Sequence, residues 1–271
     1  MSPLWRDHIQ VLASPAELTL ARLSKGLRPA VMARAVVPVA QEAGAGLPVW
    51  TAAVLTLGET LHDAAWAKAD VSVVLSNHFV RYQVIPWQDE LQDESELREY
   101  ANRLMRKTYG RETAHWSIQL SIDGVGRPCV ASAIDAQLLD ELQTLAVAQD
   151  RRLLSMRPLL MEAFNWAKAW LTAAYQWLVI VEEGMVCASL VGQGRWVAVR
   201  SFRVRTDWPS ELVAMLEREQ FMIDEAEAAH TVLLHVVNGE PVELPANQWT
   251  VRHVSPGHLY PVTASVVPCK R

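Results

Sequence analysis

The chain has 271 residues, of which 51% are apolar and 20% charged, with a formal net charge of −5. This length buries a substantial core, and the composition is that of a folded chain rather than a disordered one. The acidic balance excludes a basic field for nucleic acid, and no stretch reaches the ~20 uninterrupted apolar residues of a membrane helix.

Cys129, Cys187 and Cys269 are far apart and odd in number, which fits neither a disulfide framework nor zinc-ligand spacing. The opening MSPLWRDHIQ carries no basic-then-apolar leader, so a reducing cytoplasm is the expected compartment. Three short apolar runs follow, HIQVLA, ELTLARL and PAVMARAVVPV, broken at Ser14-Pro15 and at Lys25-Gly26. They predict three strands. After the Gly-rich connection EAGAG, residues Trp50, Val54, Leu57, Leu61 and Ala64 recur at helical spacing.

VSVVLS and FVRYQVIPW predict strands on either side of a turn at Ser76-Asn77. The acidic stretch QDELQDESE suits a helix start, because carboxylates there meet the positive end of the helix dipole. That helix carries Leu97, Ala101, Leu104 and Thr108 and stops near Gly110. A hairpin is predicted over 115–134 with Asp123-Gly124 at its turn. Asp135 caps the next helix, with Leu138, Leu142 and Leu145 on one face. RRLLSMRP predicts a short strand, and an apolar helix follows to about Leu171.

WLVIVEEGMVCASLVGQGRWVAVRSFRV, residues 177–204, predicts a meander. Asp207 and Pro209 open a helix with Leu212, Leu216 and Met222 inside. HTVLLHVV and QWTVRHV predict two more strands. The order β-β-β-α-β therefore occurs twice. It predicts an α/β fold of mixed sheets in two lobes, 1–175 with an inserted strand-strand-helix subdomain and 176–271.

Isolated chemical signals are few. Gly192-x-Gly194 lies between two strands rather than before a helix, so a dinucleotide-binding reading fails. His230 and His235 sit five apart along one strand and point to opposite faces, against a shared metal. Ser76-Asn77-His78 has no nucleophile elbow around it, and the basic run RLMRKTYGRE reads as the solvated back of a helix. Glu182-Glu183-Gly184 reads as a hairpin turn with solvated charges, metal binding being the competing reading.

Two meander-plus-helix halves are the plan of the actin, sugar kinase and Hsp70 superfamily, a duplicated ribonuclease H-like fold. The chain resembles its branch that holds PilM of type IV pilus assembly, the MSHA biogenesis (MshI) proteins and the cytoplasmic region of GspL. HIQVLASPAELTLARL sits where that branch has its first strand, phosphate turn and second strand. VSVVLSNHFVRYQVIPW, the stretch from Pro128 to Asn165, and the meander at 177–204 carry the rest of the likeness.

Nucleotide-binding members carry Asp-x-Gly at the first turn of each lobe, where glycine lets backbone N–H groups approach phosphate. Here the turns read Leu12-Ala13-Ser14-Pro15 and Val181-Glu182-Glu183-Gly184, and RVRTDWP replaces a Gly-Gly pair after the second meander. Ser14, Pro15, Glu182, Glu183 and Gly184 are thus expected to mark degenerate nucleotide-cleft turns, with no catalytic residue, metal or cofactor. The resemblance implies a non-catalytic scaffold, cytoplasmic and peripheral to the inner membrane. It would bind the cytoplasmic tail of an inner-membrane assembly protein, with a secretion ATPase and further copies of itself as additional partners. The competing expectation is an actin-like protein that binds ATP as a structural ligand or hydrolyses it slowly. A metal-independent hydrolase would need a nucleophile–base pair that the sequence does not offer.

Overall fold

The computed structural model describes residues 6–254, except 27–28, 41–45, 92, 206, 241 and 246–247. The EAGAG connection, Trp5, Cys269 and the tail after Val254 therefore lie wholly or largely outside the described residues. By contacts the chain forms two compact units. One takes the described residues up to Phe79 together with Asp135–Glu162, and the other takes Val80–Ile134 with Ala163 onward.

In the first unit, β1 (Asp7–Ala13), β2 (Glu17–Leu23) and β3 (Val31–Pro38) form an antiparallel meander. α1 (Thr51–Thr60) follows, and β4 (Ala69–Leu75) returns parallel to β1. All seven residues of β4 are buried, Asp70 and Ser72 among its apolar residues, as a strand covered on both faces requires. The helical periodicity from Trp50 to Ala64 does not continue as one helix. α1 stops at Thr60, and Ala64–Trp66 forms a separate 3-10 turn capped by Asp63, whose carboxylate accepts from the Ala65 N–H. Ala64 is exposed, while Trp66 supplies the buried anchor.

β5 (Val80–Ile85) opens the inserted segment. It does not pair with β4 across Ser76-Asn77; it lies in a separate three-stranded sheet of order β5-β7-β6. α2 (Glu94–Tyr109) is bounded as its composition dictates. The Asp93 carboxylate accepts from the Glu96 N–H at 2.9 Å, and Gly110 ends the helix at φ 78°. Ala101 and Met105 of α2 pack on Ile85, Cys129 and Ala131 of that sheet. β6 (Trp116–Ser121) and β7 (Cys129–Asp135) are joined by seven residues rather than by a two-residue turn at Asp123-Gly124. Pro128 and three further loop residues between that dipeptide and β7 keep the strand ends apart.

α3 (Ala136–Ala148) starts at Asp135, whose carboxylate accepts from the Gln137 N–H. It packs beside α1, where a Cβ on Gly58 would lie 3.1 Å from Leu145 Cδ1. β8 (Leu153–Pro158) completes the first sheet, in the order β3-β2-β1-β4-β8. α4 (Leu159–Ala167) is shorter than the apolar pattern suggests and ends four residues before Leu171.

The second unit repeats the plan. β9 (Gln176–Glu182), β10 (Met185–Gly192) and β11 (Arg195–Arg203) form the antiparallel meander. α5 (Trp208–Met222) follows, then β12 (Thr231–Val236) and β13 (Thr250–His253), both parallel to the run of β9. The order β11-β10-β9-β12-β13 is that of the first sheet, strand for strand. The expected duplication is present. Leu212 and Leu216 of α5 are buried against Trp177, Val179, Val186 and Val232 of this sheet. Met222, expected inside, is 75% exposed, because α5 turns its last residues away from the sheet.

Candidate functional site

The first expected turn closes on itself. The Ser14 N–H and Oγ–H both donate to the Glu17 carbonyl, at 3.1 and 2.9 Å. The Ser14 Oγ in turn accepts from the N–H groups of Ala16 (3.3 Å) and Glu17 (3.1 Å). Pro15 has no N–H to give. A serine hydroxyl thus takes the amides that a phosphate-binding turn would aim at an anion.

The second turn occupies the matching position, β9 to β10, in the other unit. Glu182 pairs with Met185, and Glu183-Gly184 forms the loop between them with Gly184 at φ 72°. The Gly184 carbonyl accepts from the Val204 N–H, tying the loop to the end of β11. Glu183 is exposed, as expected of a turn carboxylate, but Glu182 is buried because β9 is the central strand of its sheet. Ser14 and Pro15 belong to one unit and Glu182, Glu183 and Gly184 to the other.

His230 is exposed ahead of β12, and His235 is buried within it, so the pair forms no joint site. The His235 Nδ1–H donates to the Val254 carbonyl at 3.1 Å, and its ring meets Trp166 edge-on. Burial pushes its pKa down to about 4. Burial also pushes the Cys187 thiol up to about 12, which removes it as a nucleophile. Among the described residues no group of three or more His, Cys, Asp or Glu is placed to hold a metal, and no helix is long and apolar enough to cross a membrane.

The second unit also holds a groove that sequence reading did not find. About 460 Å³ in volume, it runs along β11 from Arg195 to Arg200 and is closed by Val84 of β5, Pro86 just after that strand, Pro128 and Ile223. The Arg195 guanidinium donates to the Tyr175 phenol oxygen (2.8 Å) and reaches Glu225 (3.3 Å). The Tyr175 contact is the first cause holding Arg195 protonated. Arg200 pairs at 2.8 Å with Glu219, a buried carboxylate that Arg218 also meets.

Two buried donors on lining residues are unpaired. The indole N–H of buried Trp196 and the Nε–H of Arg195 have no hydrogen-bond partner among the described residues. Both atoms are shielded from solvent, and a buried donor left unpaired costs about 1–3 kcal/mol. Gly192 explains its own place here. A Cβ on it would come within 2.3 Å of the Tyr175 ring, so glycine lets Tyr175 lie flat on the turn and hold Arg195. The Gly192-x-Gly194 pattern was a signal for this close approach, and Gln193 and Gly194 at φ 52° and 67° make the turn itself.

No protein-family model matches the sequence, and no curated protein is significantly similar to it. Solved structures do match. The PilM–PilN type IV pilus biogenesis complex aligns with TM-score 0.59 and 14% identity, over 85% of this chain and 80% of that chain. The cytoplasmic domain of EpsL, an inner-membrane component of the type II secretion system of Vibrio cholerae, gives 0.58 and 9%, over 94% and 92%. A Bacteroides thetaiotaomicron protein of unknown function with an actin-like ATPase fold gives 0.54 and 12%, over 85% and 81%. At these identities the likeness concerns the fold. With the same five-strand order present in both of its units, the chain has the actin-like ATPase fold, in a form similar to PilM and the EpsL cytoplasmic domain.

Proposed function

We propose that the protein is a non-catalytic, actin-like scaffold of a type IV pilus or type II secretion assembly platform. It holds the cytoplasmic tail of an inner-membrane partner and works in the cytoplasm at the membrane face. The observation that carries this reading is the β1–β2 turn, whose amides are spent on Ser14 and Glu17 rather than presented to phosphate. Two of its structural neighbours support the setting. One is PilM in complex with PilN, and the other belongs to an inner-membrane secretion component.

The groove along β11 is the docking place we assign to the tail. The guanidinium groups of Arg195 and Arg200 favour a segment rich in carbonyl and carboxylate oxygens, lying extended beside the strand. A secretion ATPase and a second copy of the chain are the further partners in this reading.

Thermal denaturation with millimolar Mg-ATP, run beside calorimetry with synthetic cytoplasmic tails of single-span pilus and secretion assembly proteins, tests the proposal. The expected outcome is an unchanged melting temperature with nucleotide and micromolar binding of a tail. A reproducible rise with Mg-ATP would instead support the nucleotide-binding alternative, since a ligand that binds only the folded state must stabilise it. Absence of tail binding at high micromolar concentration would overturn the scaffold reading.

A further inference from the structure

Among the described residues, the edge of the first sheet is open in an unusual way. β3 is eight residues long, lies at the end of the strand order, and reads VMARAVVP. Met32 is 65% and Val36 46% exposed, and Arg34 between them is exposed as well. Edge strands are ordinarily shielded by several charges, an early proline or a covering element. β3 has a single charge, and its proline comes last.

The direction of its main-chain groups follows from the ladder. The Val39 N–H donates to the Ala16 carbonyl, which makes Val39 and Ala16 a hydrogen-bonded antiparallel pair. Such pairs alternate, so Val37, Ala35 and Ala33 also direct their N–H and C=O groups toward β2. Arg34 and Val36 therefore direct theirs outward, and Pro38 ends the run of donors. The register shift opposite Arg22 and Leu23 leaves Met32 beyond this stretch as an exposed apolar residue.

We infer that the open edge of β3 binds an extended segment of a partner protein by strand addition, with an acidic residue opposite Arg34 and apolar residues two positions to either side. Two main-chain donors and their carbonyls supply the pairing. Arg34 selects the acid, while Met32 and Val36 receive the apolar flanks. A second copy of this chain is the poorer occupant. In the two-fold register centred on Arg34 the two guanidinium groups would face each other, which is disfavoured, and in the one centred on Ala35 each Arg34 would face Val36 and gain no opposite charge. This site does not rest on the assembly role proposed above and involves none of the groove residues.

The test uses the full chain and a fluorescent peptide of sequence Thr-Val-Thr-Glu-Thr-Val-Thr, with a control carrying Lys in place of Glu. Fluorescence anisotropy should show the Glu peptide binding about fivefold or more tightly than the Lys peptide. Hydrogen exchange should show new protection at the Arg34 and Val36 amides, with Ala33 and Ala35 already protected. Arg34→Glu should invert the preference. Val36→Pro should abolish binding while leaving the β2 ladder intact, because the N–H it removes points outward. Equal affinity for the two peptides, no binding, or protection confined to other segments would overturn the inference. So would a concentration-dependent dimer broken by Val36→Pro, which would make a second copy the occupant.

Discussion

Ser14 and Glu17 are joined three times over. The Ser14 main chain and hydroxyl both donate to the Glu17 carbonyl, and the Glu17 N–H donates back to the hydroxyl. Replacing Ser14 by Ala leaves the Ala16 and Glu17 amides without their acceptor in a half-buried turn. The expected cost is about 1–2 kcal/mol in chemical denaturation. Under the scaffold reading, the freed amides should still confer no stabilisation by Mg-ATP, which a thermal shift assay of the variant will check.

A second prediction concerns Asp70, which is 1% exposed and bound by Arg152 through side chain and main chain, with Arg6 at 3.5 Å. Burial alone would raise its pKa, but the hydrogen bonds and charge of Arg152 outweigh burial and leave it below the usual 3.8. The sign follows from that direction. The stabilisation is fully present above the unfolded value near 3.8 and is lost as pH falls through the lower folded value. Asp70→Asn should cost about 2 kcal/mol at neutral pH and reduce the acid-induced loss below pH 3.8, as measured by urea midpoints across pH.

His235 should govern a different window. Its folded pKa of about 4 lies below the ordinary histidine value of 6.5, so the unfolded chain takes up the proton first. Stability is complete above pH 6.5 and falls by up to about 3 kcal/mol as pH drops to about 4. His235→Gln removes this titration, so its stability profile should be flatter between those two values. An unchanged slope would show that other groups set it.

Gly192→Ala tests how the groove is held. The added methyl meets Tyr175 at backbone as well as ring, with 2.8 Å to its Cα, so Tyr175 must move. We expect a loss of about 1–3 kcal/mol. Displacement of the Tyr175 ring, added to the release of Arg195 from the phenol oxygen, should then weaken tail binding more than Tyr175→Phe does. The Phe variant keeps the ring in place and deletes only the hydroxyl. Calorimetry on the two variants separates packing from hydrogen bonding.

Much of this architecture was legible because its elements obey local rules. Asp93 and Gly110 frame α2, Asp135 starts α3, and the largely apolar β4 and the apolar run of β9 announce buried interior strands. The misreadings arose where tertiary packing overrides periodicity. Spacing alone could not tell that the helix after Trp50 breaks before Trp66, nor that Met222 leaves the sheet. Pairing between distant segments left no local trace either, so nothing near Ser76-Asn77 shows that β4 and β5 lie in different sheets.

The candidate site divides in the same way. Pro15 marked the first turn in the sequence, but the role of the Ser14 hydroxyl in taking up its amides needed coordinates. The groove could not be foreseen at all. Its walls come from residues 83, 84, 86, 128, 195–200, 223 and 225, a set with no common motif.

The assignment of chain segments to the two units has a practical outcome for anyone cutting the gene. The polypeptide changes unit at 79–80, at 134–135 and again at 162–163. No uninterrupted fragment encodes either unit, so expressing residues 1–134 or 135–254 alone would strand half of each core in water. Permuted or co-expressed pieces, rather than simple truncations, are the way to study one unit in isolation.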